Sequence, residues 1–507
     1  MNRKAIIAAI AIIIICAGAF ALFNSSNTSS DSISVDANAL EDRGNLIVDS
    51  ESIDESKGLY HTSSADTNGI LVKNGGSLKL TDSILNKTGD TASTGDDADF
   101  YGINSAILVN TNGTLDISNI EINTDSKGSN GIFVTNAEAS TYSSSDSSQN
   151  SGEGGQPPEA MGNGSSQEGQ PPEAMGNGGS QEGQPPEVPD GNGGGQPGET
   201  TVDGHTEANV KNVKITTHSD KSRGLDATYN GIINAENVII NTNGQSCAAL
   251  ATDRGEGHVH VKNSEINTGV SKNSGRGSPL IYSTGNITCE NTKGTSYVSQ
   301  IACIEGKNSI ELTNCDLTGY AEGNRQDGDE YVDLGGVFIY QSMSGDADVG
   351  TSTFTSKNSQ LKIAEDSSVY TTAPLFHITN TACVINLENT ECSFGSGVFL
   401  ESSGQNQWGS EGSNGGVCEL NTDNENIEGN VIVDSISSLT WNMKNTQYKG
   451  AVNSTGNTTV DVGEGSTWTL TGDSSLSSLT VSGNIEYGNY SITVNGQKYD
   501  SSNPFNG

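Results

Sequence analysis

Three arginines with the chemistry to bind acidic sugars each precede a glycine: Arg223, Arg254 and Arg276. Their spacing predicts positions in consecutive structural repeats, so their guanidinium groups are candidates for one carbohydrate-binding face. A guanidinium group binds a carboxylate through two parallel hydrogen bonds. Aspartates nearby in the sequence offer the alternative of ion pairs at solvated turns; these are Asp220, Asp226 and Asp253. Both interpretations remain open at this point.

Two acidic segments carry the oxygen ligands that calcium prefers. The candidate metal ligands are Asp96, Asp97 and Asp99 in the first segment, and Asp327 and Asp329 in the second. Neither segment has the spacing of a helix–loop–helix calcium site or of a glycine-rich calcium repeat. Solvated turns are therefore the alternative interpretation, and calcium is the one cofactor that the sequence suggests.

The cysteines and histidines give weaker signals. Seven cysteines lie between Cys247 and Cys418 without a C-x-x-C pair, so a zinc site is poorly supported. We expect most of them to be buried thiols, with a disulfide between Cys383 and Cys392 as the alternative. His258 and His260 alternate on one predicted strand, which favours an exposed pair over a metal site.

The composition limits the classes of partner. The 507 residues include 62 acidic and 24 basic side chains, which give a formal net charge of −38. Nucleic acid is excluded as an expected partner, because phosphate neutralisation needs clustered lysine and arginine. Apolar residues make up 32% of the chain, which is low for one large core but sufficient for a solenoid that buries a thin apolar line in every repeat.

The N-terminus predicts export. Arg3 and Lys4 precede an apolar run from Ala5 to Phe23, the layout of a secretory signal. This run is also long enough for an uncleaved membrane anchor, and Cys16 raises the alternative of a lipoprotein. Under each interpretation the chain is extracellular or at the cell surface, and it contacts a membrane only through this segment.

Composition also divides the chain. Residues 143–200 hold eight of the 11 prolines and repeat the sequence GQPPE from Gly155, Gly169 and Gly183. Such a segment cannot bury enough apolar surface to offset its conformational entropy, so we predict a disordered insert. The predicted organisation is a signal or anchor (1–24), N-terminal coils (25–142), the insert (143–200), a main β-helix (201–424) and C-terminal coils (425–507).

A recurring asparagine organises the rest of the sequence. Short β-branched runs alternate with Gly, Asn, Ser and Asp turns, which is typical of strands. An apolar residue or a cysteine follows three positions after each of these asparagines: Asn119, Asn212, Asn237, Asn263, Asn314, Asn358, Asn389 and Asn445. The period of 25 to 26 residues between Asn212 and Asn263 predicts coils of a parallel β-helix, with asparagine at a bend and the apolar residue inside.

These coils resemble the right-handed parallel β-helix of the pectate-lyase-like superfamily, and the segment from Trp468 to Ile485 resembles the passenger regions of autotransporter adhesins. The fold class we expect is therefore all-β, a right-handed parallel β-helix with a disordered insert. The resemblance implies an adhesin-like protein that binds glycans or cell surfaces through repeated polar rows.

The alternative that the resemblance implies is a polysaccharide lyase or hydrolase. Hydrolases of this superfamily carry Asn-Thr-Asp, a double Asp, Gly-His-Gly and Arg-Ile-Lys in that order. Here Asn-Thr-Asp occurs at 123–125 and 421–423, the Asp pair at 96–97 precedes both, and Arg-Ile-Lys does not occur. No catalytic residue is therefore assigned, and a purely structural sheath component is a third possibility.

Overall fold

The structure, a computed structural model, describes residues 33–92, 96–137, 204–271, 276–323, 326–327, 330–331, 333–342 and 344–506. The apolar run at the N-terminus, the predicted insert (143–200) and Asp329 lie outside these residues. Two short helices are described, a 3₁₀ helix Ala37–Ala39 and the α-helix α1 (Asp96–Tyr101).

All other regular elements are strands. The strands up to Ser296 are β1 (Glu41–Gly44), β2 (Leu46–Asp49), β3 (Ser52–Ser56), β4 (Gly58–Thr62), β5 (Ile70–Lys73), β6 (Ser77–Thr88), β7 (Ile107–Asn110), β8 (Thr114–Asp125), β9 (Ile132–Thr135), β10 (Glu207–Thr217), β11 (Leu225–Thr228), β12 (Ile232–Thr242), β13 (Leu250–Thr252), β14 (His258–Lys262), β15 (Glu265–Thr268), β16 (Ile281–Ser283), β17 (Asn286–Glu290) and β18 (Lys293–Ser296).

The strands after Ser296 are β19 (Ala302–Glu305), β20 (Ser309–Thr313), β21 (Asp316–Gly319), β22 (Gln326–Asp327), β23 (Glu330–Tyr331), β24 (Val337–Tyr340), β25 (Thr351–Lys357), β26 (Gln360–Ile363), β27 (Phe376–Thr379), β28 (Ala382–Glu388), β29 (Glu391–Ser393), β30 (Val398–Ser402), β31 (Val417–Asp423), β32 (Asn426–Glu428), β33 (Asn430–Val433), β34 (Ser438–Lys444), β35 (Gln447–Gly450), β36 (Val452–Ser454), β37 (Asn457–Val462), β38 (Thr467–Leu470), β39 (Ser474–Leu476), β40 (Ser478–Val481), β41 (Asn484–Glu486), β42 (Ser491–Val494) and β43 (Gln497–Asp500).

The strands form two long sheets. Sheet A has 21 strands, and sheet B has 16 strands that run from β2 to β43. The chain passes from a strand of sheet B into sheet A and returns, and strands of successive coils pair in parallel. Ile107, for example, is the register partner of both Ile70 and Ile132. A third, four-stranded parallel sheet (β32, β35, β38 and β41) joins them in the C-terminal coils, while the pairs β22–β23 and β42–β43 are antiparallel. The prediction of an all-β parallel β-helix is confirmed.

A left-handed backbone position bends each coil within sheet A. Asn119, Asn212 and Asn237 have φ values of 57°, 52° and 54°, and the other asparagines of the predicted series have values between 48° and 54°. Asparagine tolerates this conformation because its short polar side chain bonds locally. The side chains also connect the coils, since Asn237 Nδ2 donates to Asn212 Oδ1 at 2.6 Å and Asn389 Nδ2 to Asn358 Oδ1 at 2.9 Å. The predicted position of asparagine at a bend is confirmed, and the stacked side chains form a ladder from coil to coil.

The core lies between the sheets. The inward positions three residues after the bend stack in register, so that Ile215 lies between Ile122 and Ile240, and Ile266 follows; all four are fully buried. Burial of one such side chain contributes about 1.5–3 kcal/mol. Toward the C-terminus aromatic rings continue the core, and Trp441 lies 4.6 Å from Tyr448 between ring centroids.

The coil that the predicted insert interrupts is complete. β9 ends at Thr135 and β10 begins at Glu207, yet β10 pairs with β8 on one side and β12 on the other over its whole length. The described chain therefore stops at residue 137 and resumes at residue 204, between a strand of sheet B and a strand of sheet A.

Candidate functional site

The outer face of sheet A carries two parallel rows of polar side chains. The first row is Lys79, Asp116, Asn209, Asn234 and His260, and the second is Thr81, Ser118, Lys211, Glu236 and Lys262. These residues lie three positions and one position before the bend of their coils. They line an open groove of about 410 Å³ that crosses β6, β8, β10, β12 and β14, with Ile117, Val210 and Ala235 also in its lining. We call it the sheet A groove.

Hydrogen bonds between coils hold the amides of the sheet A groove in place. Asn234 Nδ2 donates to Asn209 Oδ1 at 3.2 Å and to Glu207 Oε1 at 2.6 Å. Asn209 Nδ2 in turn donates to Asp116 Oδ1 at 2.9 Å. Because these side chains are already ordered, binding through them loses less conformational entropy than binding through free side chains.

The lysines of the groove are exposed and form only weak ion pairs. Lys211 Nζ lies 3.2 Å from Glu236 Oε2, Lys262 Nζ 3.1 Å from Glu290 Oε2, and Lys79 Nζ 3.6 Å from Asp54 Oδ2. About 60% of each lysine side chain is accessible to solvent. Exposed pairs of this kind contribute about 0–1 kcal/mol, so a ligand anion can compete for the ammonium groups.

His258 and His260 lie side by side on β14. Their rings are nearly parallel, with centroids 6.4 Å apart, and both are half-buried. Burial lowers the pKa of each imidazole, which favours its neutral form. His260 Nδ1 is 2.9 Å from Thr288 Oγ1, and only His260 of the two lines the groove.

Arg223, one of the predicted sugar-binding residues, is surrounded by carboxylates. Its Nη1 donates to Asp99 Oδ1 at 2.9 Å, and its Nε lies 3.5 Å from Asp226 Oδ2. Its Nη2 is 2.8 Å from Asp253 Oδ2, although the two groups are not aligned for a hydrogen bond. Burial lowers the pKa of Arg223 and the three carboxylates raise it, with a net pKa well above the ordinary value. These ion pairs are buried, whereas the sequence suggested solvated ones.

The carboxylates around Arg223 differ in ionisation. Burial raises the pKa of Asp253 to about 6, and burial with the nearby Asp253 raises the pKa of Asp226 well above its usual range. Burial also opposes ionisation of Asp99, but Arg223 and Lys221 outweigh it and hold the pKa of Asp99 below the ordinary value.

The helix α1 covers this cluster. Lys221 Nζ donates to Asp99 Oδ2 at 2.9 Å, and the Arg254 guanidinium lies 4.0 Å from the centre of the Phe100 ring. Arg254 Nη2 also donates to Asp346 Oδ1 at 2.7 Å. Arg254, predicted to bind sugar, and Asp99, predicted to bind calcium, therefore form contacts within the chain that hold α1 in place.

The remaining predicted site residues are dispersed. Arg276 lies exposed on the turn before β16, where its backbone carbonyl accepts a bond from Ser246 N, whereas Arg254 follows the end of β13. Asp99 lies in α1 and not in a loop, and the backbone carbonyl of Asp97 accepts a bond from Ile103 N. The side chains of Asp96 and Asp327 lie outside the described part of the chain. Among the described residues, no three His, Cys, Asp or Glu side chains are grouped to hold a metal ion.

The cysteines are unpaired. All seven from Cys247 to Cys418 are free thiols, and six of them are buried. Cys383 and Cys392 are not bonded to each other; the register partner of Cys383 on the next coil is Cys418. The interpretation as buried thiols is confirmed, and burial raises the pKa of Cys247 to about 12.

The sheet A groove was not predicted, although the repeat in the sequence contains a signal for it. Once the bend residue is aligned, the positions three and one before it give Asn209 and Lys211 in one coil and Asn234 and Glu236 in the next. The alignment that places the inward residues also specifies the outward rows.

None of the described helices is long and apolar enough to cross a membrane. Comparison of the chain with models of protein families, with curated proteins and with solved structures finds no match.

Proposed function

We propose that this chain is an extracellular, adhesin-like protein that binds glycans along the sheet A groove. The observation that carries the proposal is the groove itself, in which ordered amides, hydroxyls and charged groups continue across five neighbouring strands. Sugars are recognised by such hydrogen-bonding groups, and each contact is weak. Several coils acting together on one polymer supply affinity through multivalency.

The N-terminal sequence supports the proposed location. The apolar run that follows Arg3 and Lys4 directs the chain to the export pathway, either as a cleaved signal or as an anchor. A surface protein of this kind presents its coils to polymers outside the cell.

The experiment is a glycan array probed with the full-length chain in mild detergent, with and without calcium. The test variant is Asn209→Ala with Asn234→Ala, which removes the amide pair of the groove. The matched control is Asn421→Ala with Asn442→Ala, because Asn442 Nδ2 donates to Asn421 Oδ1 at 2.8 Å on the same outward row, outside the groove.

We expect the test variant to lose binding to the glycans that the unaltered chain retains, and the control to keep it. The melting temperatures of both variants establish that each is folded. An array on which the unaltered chain binds no glycan contradicts the proposal, as does equal loss in both variants.

A further inference from the structure

We propose that the sheet A groove selects an acidic polysaccharide that carries one anionic group per disaccharide. The inference rests on the proposed glycan-binding function and specifies the class of ligand. It depends on the order of the charged residues along the groove. Glycan binding by itself does not require any particular order.

Among the residues that line the groove, lysines and carboxylates alternate from coil to coil, while Glu207 on β10 lies outside the lining and accepts a bond from Asn234 Nδ2. Lys79 lies on β6, Lys211 on β10 and Lys262 on β14, so a lysine occurs on every second coil. The coils between them carry carboxylates, Asp116 on β8 and Glu236 on β12.

The spacing of the lysine-bearing coils corresponds to a disaccharide. Neighbouring parallel strands lie about 4.8 Å apart, so alternate coils are separated by about 10 Å. One sugar of an extended polysaccharide has nearly the length of one coil spacing, and its disaccharide unit has nearly the length of two. A polymer that lies along the groove can therefore place one anion beside each lysine and a neutral sugar beside each carboxylate.

The carboxylates make the arrangement selective. A polymer with an acidic group on every sugar brings like charges together at Asp116 and Glu236, which lowers its affinity. The chain as a whole repels anions because its net charge is −38. Attraction must therefore act locally, within the screening length of about 8 Å at physiological ionic strength, and we expect binding to weaken as salt is added.

The experiment measures binding of the full-length chain to three probes: hyaluronan fragments, with one carboxylate per disaccharide; polygalacturonate, with one on every sugar; and neutral dextran. The test variant changes Lys79, Lys211 and Lys262 to Gln. The control changes Lys293, Lys362 and Lys449 to Gln, which removes the same charge from ion pairs outside the groove.

We expect hyaluronan to bind more tightly than the other two probes. The test variant should lose about tenfold in affinity for hyaluronan, equal to about 1.4 kcal/mol, while the control stays close to the unaltered chain. A second variant, Asp116→Asn with Glu236→Gln, should gain affinity for polygalacturonate because the repulsion is removed.

The outcomes separate this inference from the proposed function. Binding of dextran or of polygalacturonate that equals or exceeds binding of hyaluronan overturns the alternating-charge inference and leaves glycan binding standing. Equal loss in the test variant and its control also overturns the inference. Failure of all three probes, together with a blank glycan array, removes the proposed function and the inference with it.

Discussion

Glu425 is a buried carboxylate at a position where other coils place a small hydroxyl. It follows the bend residue Asn424, as Ser264, Ser359 and Thr446 follow theirs, and its side chain is 1% exposed. Its Oε1 accepts a hydrogen bond from the backbone N of Thr390 at 2.7 Å, whereas Oε2 is buried without a partner. Burial raises the pKa of Glu425 from 4.5 to about 8, against the hydrogen bond from Thr390, which lowers it.

The raised pKa predicts how stability depends on pH. A carboxyl whose pKa is higher in the folded state binds its proton more tightly there. Its contribution to the free energy of unfolding is therefore fully present below pH 4.5 and is lost as the pH rises toward 8. Each unit of pKa shift corresponds to 1.36 kcal/mol. At pH 7 the free energy of unfolding is therefore lower by roughly 3 kcal/mol than it would be with Glu425 uncharged in both states.

The variant Glu425→Gln removes the ionisation and keeps the oxygen that accepts from Thr390. We expect its free energy of unfolding, relative to the unaltered chain, to increase by about 3 kcal/mol between pH 5 and pH 8. Urea unfolding followed by tryptophan fluorescence measures this, because Trp441 and Trp468 are buried in the coils that follow.

The control is Glu391→Gln, which removes the same charge at an exposed position. It should show no comparable change with pH. If the difference between Glu425→Gln and the unaltered chain is the same at pH 5 and pH 8, Glu425 ionises normally in the folded protein and the reasoning is wrong.

Three further predictions test the core, the buried ion pairs and the predicted insert. Ile240→Asp should cost more than about 4 kcal/mol in thermal or urea unfolding because it buries an unpaired charge, whereas Ile239→Asp on the outer face should cost far less. Arg223→Met should cost about 3–5 kcal/mol at pH 7 and less at pH 5, where Asp253, with a pKa of about 6, becomes protonated, with Arg276→Met as the exposed control. Deletion of residues 155–196 should leave the melting temperature nearly unchanged, since β10 keeps its register with both neighbours; unfolding of the deletion variant contradicts the predicted organisation.

Local features of the sequence predicted the coil well. The left-handed backbone at Asn212 and Asn237 depends on the residue itself, and the alternation around Ile215 and Ile240 depends on the geometry of a strand. Both can be read from short segments, and the repeat brings them into register.

The environment of the arginines was not predictable in this way. Arg223 bonds to Asp99, which lies 124 residues earlier, through a helix that no periodicity indicated. Whether an arginine binds a ligand or a carboxylate of its own chain depends on how such covering segments fold over sheet B. The pattern within one repeat does not contain that information.

The parallel pairing also determines how the chain should yield under tension. Since a strand such as β7 bonds only to its counterparts in the coils before and after, β5 and β9, a pull on one terminus should detach the outermost turn and leave the next one intact. Under such a load the chain would lengthen in steps and dissipate work while its remaining turns stay folded.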